Sequence, residues 1–171
     1  MRKISLLICL SVFLSCCFLR THALAEEEST YTNPVLKFSV LYPKDWELNT
    51  EKDVVFVKKI DGQSVLLMHS TEDLGQEPVN LEQAFNRYDS AMMKGGYQLT
   101  DQGPVSIGDH VGMFKKYEDN DPNRKAWNFP HKAYAFIKGT TLYSFIYQAP
   151  PEMFDQYLPT AEKIIYSYSE Q

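Results

Sequence analysis

The chain has 171 residues, with 17 Lys and Arg against 22 Asp and Glu and a formal charge of −5, so it lacks the basic excess on which general nucleic-acid binding rests. Its cysteines, Cys9, Cys16 and Cys17, all lie near the N-terminus. Beyond Cys17, disulfides, thiolate nucleophiles and cysteine metal sites are excluded together.

Residues 1–25 read as a signal peptide. "MRK" gives a basic start, "ISLLICLSVFLSCCFL" an apolar run, and "RTHALA" an Ala-x-Ala pattern before "EEE", which places cleavage between Ala25 and Glu26. The run from Ile4 to Leu19 is shorter than the roughly 20 residues of a spanning helix, and no later stretch approaches that length. The alternative reading takes Cys17 of "LSCC" as a lipid-modified N-terminus, with Cys16 standing where such signals carry Gly, Ala or Ser. Either way the expectation is an exported protein, periplasmic or extracellular, without a transmembrane span, and tethered to a membrane if Cys17 is lipidated. Removing Arg2, Lys3 and Arg20 with the leader leaves 14 basic residues against 22 acidic ones, a charge of −8. The remaining chain is long enough for one domain to bury about two-thirds of its unfolded surface.

Residues 26–34, "EEESTYTNP", are polar and aperiodic and read as a disordered lead-in; the domain spans 35–171. "VLKFSVLYP" has strand chemistry and ends at Pro43, since proline cannot donate to a ladder. "DVVFVKKI" and "SVLLMHST" follow as strands, joined through Asp61 and Gly62, and the three are expected to form a meander. These runs are too apolar to be half-exposed, so something must cover one face. The expected cover is "NLEQAFNRYDSAMMKGG", a helix with Leu81, Ala84, Phe85, Tyr88 and Met92 on one stripe. Asn80 is its N-cap, Gln83 completes a capping-box pattern, and Gly95 with Gly96 stops it. Two further hairpins turn at Gly108–Asp109 and Gly139–Thr140. "PPEMFDQYLPTAEKIIYSYSE" returns to a helical period, and Pro159 predicts a short turn before it with the main helix starting there. The predicted order is β-β-β-α-β-β-β-β-α: an α+β domain of about seven strands, mainly antiparallel, with two main helices packed on the sheet.

A strand ending in "YPKDW", a meander, one amphipathic helix, four more strands including "KAYAFIKGTTLYSFIYQA", and a closing "AEKIIYSY" helix together resemble the PsbP-like superfamily. That group takes in extrinsic photosystem II proteins, bacterial exported domains of unknown function and the nuclear-transport factor Mog. The resemblance covers roughly residues 35 to 168 and implies an antiparallel sheet with helices on its faces, and a binding or assembly role without catalysis. It carries over no functional residue.

The chemistry-bearing residues agree with a non-enzyme. No G-x-S-x-G or phosphate-binding glycine pattern occurs. His69, His110 and His131 lack metal-site spacing, and Glu72 and Asp73 would point to opposite faces of a strand. No catalytic residue, cofactor-binding residue or metal ligand is therefore assigned, and no cofactor. The Tyr42, Pro43, Trp46 cluster reads as an aromatic plug at the end of a strand. The candidate partner surface is the loop "NDPNRKAWNFPHK", with Trp127 and Phe129 as anchors and Arg124, Lys125 and Lys132 as a polar rim. The functional expectation is a non-catalytic exported binding or assembly module with an unidentified protein partner. The alternative is a small-ligand carrier or enzyme with a site between sheet and helix near Tyr42, Trp46 and Tyr143.

Intact mass spectrometry of the native protein tests the N-terminus: an N-terminal Glu26 is expected, an acylated Cys17 would establish the lipoprotein reading, and retention of Met1 would refute export with cleavage.

Overall fold

The computed structural model describes residues 27–51, 53–75, 80–119 and 129–171. Ten strands and two helices follow in the order β1 (Glu28–Asn33), β2 (Phe38–Pro43), β3 (Glu47–Asn49), β4 (Val54–Ile60), β5 (Gln63–Asp73), α1 (Leu81–Lys94), β6 (Tyr97–Ile107), β7 (His110–Asp119), β8 (His131–Lys138), β9 (Thr141–Gln148), α2 (Pro151–Tyr166) and β10 (Ser169–Glu170). They build a seven-stranded sheet, ordered β3-β4-β5-β9-β8-β7-β6, and a three-stranded sheet, ordered β1-β2-β10. Every pairing is antiparallel, as hairpin connections require. The architecture is the expected α+β domain with two main helices.

The tight hairpins fall where the sequence places them. Asp61 and Gly62 both take positive φ, 49° and 83°, the geometry that matches a two-residue turn to the twist of its strands. Asn80 caps α1 by accepting the Glu82 N–H at its Oδ1, 2.8 Å away, and the helix closes at Gly95.

Four differences have physical causes. First, residues 28–33 of the expected disordered lead-in form β1, paired with β2 along its length; Tyr31 packs edge-on against Phe38 and Phe56, an anchor too sparse to register as periodicity. Second, β2 does not join the meander. It turns into the small sheet between β1 and β10, and short β3 takes its place beside β4. Third, α1 does not cover the first strands; it packs over β6, β7 and β8. Fourth, α2 runs unbroken through Pro159. Pro159 and Asp155, whose carbonyl would accept from position 159, are both exposed, so water replaces the missing N–H. Buried Phe154, Ala161, Ile164 and Ile165 hold the helix down on either side. Pro151 occupies the first-turn position that the sequence reading gave to Pro159.

The larger core lies between the seven-stranded sheet on one side and α2 with the small sheet on the other, around Phe38, Phe56, Leu67, Phe145, Tyr147 and Ile165. Trp46, 3% exposed, belongs to this core, and Tyr42 packs on Phe56 with ring centroids 5.2 Å apart. The cluster therefore plugs the core. His69 is buried in the same core at 2% exposure, between Phe38 and Phe145. Its Nδ1–H donates to the Ser144 carbonyl at 2.9 Å. A smaller core joins α1 to the opposite face through Phe85, Met92, Tyr117, Ala133 and Ala135.

Burial pushes the His69 imidazole down to about 4, against a partial upward pull from the Ser144 hydrogen bond. Its folded value lies below its unfolded one, so the unfolded state binds the extra proton and stability rises with pH between about 4 and 6.5. Urea unfolding should show this stability fully present above that window and lost as pH falls through it, by up to about 3 kcal/mol from His69. His69→Leu should flatten the profile; an unchanged slope would contradict the neutral buried imidazole.

Candidate functional site

Of the residues singled out from sequence, Cys17, Ala25, Glu26, Arg124, Lys125 and Trp127 lie outside the described residues. Phe129 is half-buried just before β8. Lys132 is turned inward. Strand alternation puts it on the α2 face, where its Nζ donates to Glu162 Oε1 at 2.8 Å and lies 4.4 Å from the Phe114 ring centre; its side chain is 12% exposed. Tyr134 donates to the same carboxylate oxygen at 2.7 Å. Burial opposes ionisation of Glu162, but the Lys132 and Tyr134 hydrogen bonds outweigh it and hold the carboxyl below its usual range. This cluster pins β8 to α2. Trp46 and Tyr143 lie in the larger core and Tyr42 packs against it.

The histidines are separate. His131 packs edge-on against Tyr97, and burial pushes it down to about 4. His110 stacks on Phe136 with centroids 4.2 Å apart and shares Glu170 with Lys138. Among the described residues no group of three or more His, Cys, Asp or Glu side chains is placed to hold a metal ion.

One concave site of the described surface is a groove between α1 and the other face of the large sheet, with a cavity of about 270 Å³. Its floor comes from β5, β8 and β9, where register places Ala135, Ser144 and Ser70 in one row across the strands. Small side chains there sink a trough between larger neighbours, Ile146 on one side and Leu142 on the other. Ala84, Phe85 and Tyr88 of α1 form the wall. The Ser70 and Ser144 hydroxyls satisfy each other at 3.0 Å. At the rim Arg87 donates to Glu72 at 2.5 Å. Nothing in this lining joins a nucleophile to a base; it can hold an apolar group. The sequence signal for it was the apolar character of both faces of "SVLLMHS", of which α1 covers neither.

Under α1, Lys115 donates to Asp89 Oδ2 at 2.6 Å, and the Tyr117 hydroxyl donates to the other carboxylate oxygen. Lys115 also lies 5.1 Å from the Phe85 ring centre, the ring that walls the groove. Burial, with the Asp89 hydrogen bond, pushes the Tyr117 phenol well above its usual range, so it remains a donor. This buried pair fixes where α1 sits on β7, and so the width of the groove.

No family model matches the sequence, and no curated protein matches it. Among solved structures the chain is similar to the cyanobacterial PsbP (CyanoP) from Synechocystis sp. PCC 6803, with a TM-score of 0.62 at 14% identity over 85% of this chain and 94% of that one. It is similar to LpqN, involved in cell envelope biogenesis of Mycobacterium tuberculosis, with a TM-score of 0.57 at 9% identity over 84% and 90%. It is also similar to the Saccharomyces cerevisiae Ran-binding protein Mog1p, with a TM-score of 0.54 at 6% identity over 85% and 96%. At these identities the likeness shows the fold, which is of the PsbP/Mog type.

The side chains of Lys115 and Asp89 are only 5% and 16% exposed, so removing one partner strands the other's charge. Asp89→Ala should lower unfolding free energy by about 3–5 kcal/mol, and the double replacement Asp89→Leu, Lys115→Met by much less. Equal losses would show that the pair does not act as a unit.

Proposed function

We propose that this protein is a non-catalytic exported module that binds a protein partner through the groove beside α1. The observation that carries the reading is the groove's construction: a small-residue trough with an apolar lining, rimmed by an ion pair and held open by a helix on a buried charge pair. Such a site favours burial of an apolar anchor, and its polar groups are paired with each other, Ser70 with Ser144 and Arg87 with Glu72, rather than as nucleophile and base. One fold neighbour, Mog1p, is described as Ran-binding, which supports a binding role here. Among the described residues no helix is long and apolar enough to cross a membrane. Export with cleavage after Ala25, or anchoring through Cys17, belongs to this proposal, as does a second contact through the loop bearing Arg124, Lys125 and Trp127.

A small-ligand carrier is the second reading, favoured by the cavity of about 270 Å³, which lies just under the usual range for drug-sized ligands.

Co-purification from the native envelope separates the two. Wild type should bring down a stoichiometric protein partner, Ser144→Leu should lose it by filling the trough, and Trp127→Ala should weaken it if the loop takes part. A protein that runs alone in every preparation counts against the module. A metabolite that raises the melting temperature, equivalent to about 2.7 kcal/mol at 100 times its dissociation constant, would favour the carrier.

A further inference from the structure

The seven-stranded sheet has two apolar faces, but α1 covers only the β6, β7 and β8 end of one of them. Over β4, β5 and β9, Val55 sits opposite Met68 and Met68 opposite Ile146, while Val57 sits opposite Leu66. These side chains point away from the larger core, because their strand neighbours Val54, Phe56, Leu67 and Phe145 belong to it. They are half-buried; Ile146, at the margin, packs against the cluster under α1, and among the described residues no helix or second sheet lies on Val55, Val57, Leu66 and Met68. The trough beside α1 is the inner margin of this open face.

We infer that the open face takes an amphipathic helix of the partner protein, with a basic flank, lying alongside α1. The inference rests on the binding-module reading and names what that module holds. Three strands span roughly 14 Å, and seven or eight residues of strand run about 25 Å. That is the footprint of one helix about 10 Å across. A second copy of this chain, itself carrying a formal charge of −5, would bring like charge to this face, which argues against it as the occupant. The side of α1 that borders the face suits a neighbouring helix. Ala84, Arg87 and Tyr88 line it, and Ala91 follows one turn on in the same stripe. Ala84 and Ala91 leave room on this side for a second helix axis at the usual distance of about 8–10 Å, with Tyr88 between them as an apolar contact. The row Ala135, Ser144, Ser70 receives one bulky residue of the incoming helix, and the Val55, Leu66, Met68 and Ile146 surface takes the rest of its apolar stripe. Charge sets the flank. Where β4 begins and β5 ends, Glu51, Asp53 and Glu72 are exposed, with Arg87 beside Glu72. An acidic margin on an acidic chain selects Lys and Arg on the helix that meets it.

The test uses isotope-labelled protein as recovered from its host and three short synthetic peptides: a Leu/Lys peptide of helical period, its Leu/Glu counterpart, and a Leu/Lys version broken by proline. The Leu/Lys peptide should shift the amides of Ser70, Arg87, Leu142 and Ser144, while the other two bind more weakly. Met68→Glu should weaken binding by about tenfold or more. Leu66→Gln, a milder change on the same face, should act in the same direction, and Val35→Glu, at an exposed apolar turn residue, should have no effect. Shifts confined to other residues, or equal binding of the Leu/Glu peptide, overturn the proposal. So does dodecanoate shifting these amides when the peptides do not, which assigns the face to an acyl ligand, or a dimer in sedimentation that Met68→Glu dissolves. A native partner that co-purifies equally with wild type and Met68→Glu overturns this placement and leaves the binding-module reading standing. No native partner with either removes that reading, and this inference with it.

Discussion

The cluster of Phe38, His69 and Phe145, with Phe38 edge-on to an imidazole stacked on Phe145, is the contact on which the rest of the domain depends. Phe38 comes from the small sheet, while His69 and Phe145 face each other across β5 and β9 at the centre of the large one. Tyr168, after the last helix, stacks on Phe38 with centroids 5.2 Å apart. One cluster thus joins β2, the centre of the large sheet and the segment after α2. With both sheets fixed, α2 has a place to dock, and Tyr147 donates from the sheet to the Phe154 carbonyl in its first turn at 2.8 Å. The polar imidazole survives there because Nδ1 finds a carbonyl and the neutral ring packs like its aromatic neighbours.

Committing α2 and the small sheet to one face leaves, among the described residues, a single helix for the other. A seven-stranded sheet is wider than one helix, so part of the second face must stay open or be covered from outside. Where α1 goes is settled by charge as well as shape. Lys115 can be buried only beside Asp89, and this ties α1 to β7 at one end of the sheet. The open face lies at the other end.

Much of this was legible in the sequence, and the failures share a cause. The hairpins at Asp61–Gly62, Gly108–Asp109 and Gly139–Thr140, the α1 cap at Asn80 and the α+β class rest on local rules, and local rules held. What failed depended on which elements meet. β1 carries one aromatic in a polar stretch, and only its pairing with β2 makes it a strand. Pro159 was weighed by its intrinsic cost, whereas the packing of residues on both sides keeps α2 whole. Lys132 read as part of a polar rim because its sequence neighbours are polar, yet its alternation along β8 points it at Glu162. The groove itself was half-visible: the excess apolar character of β4 and β5 required a cover, but nothing local said that α1 would go elsewhere.

The mismatch between apolar strands and the cover that the described residues give them bears on function more directly than the fold does. The PsbP/Mog-type fold is compatible with several roles, and at 14% identity or less no residue-level inference follows from its neighbours. Side chains such as Leu66 and Met68 contribute nothing to the larger core, since they face away from it, and an uncovered apolar face carries an aggregation hazard. Polar residues at these positions would remove the hazard while leaving the core intact. Keeping Val55, Leu66, Met68 and Ile146 apolar beside a trough of small residues is therefore better explained by what approaches that face than by the stability of the domain alone.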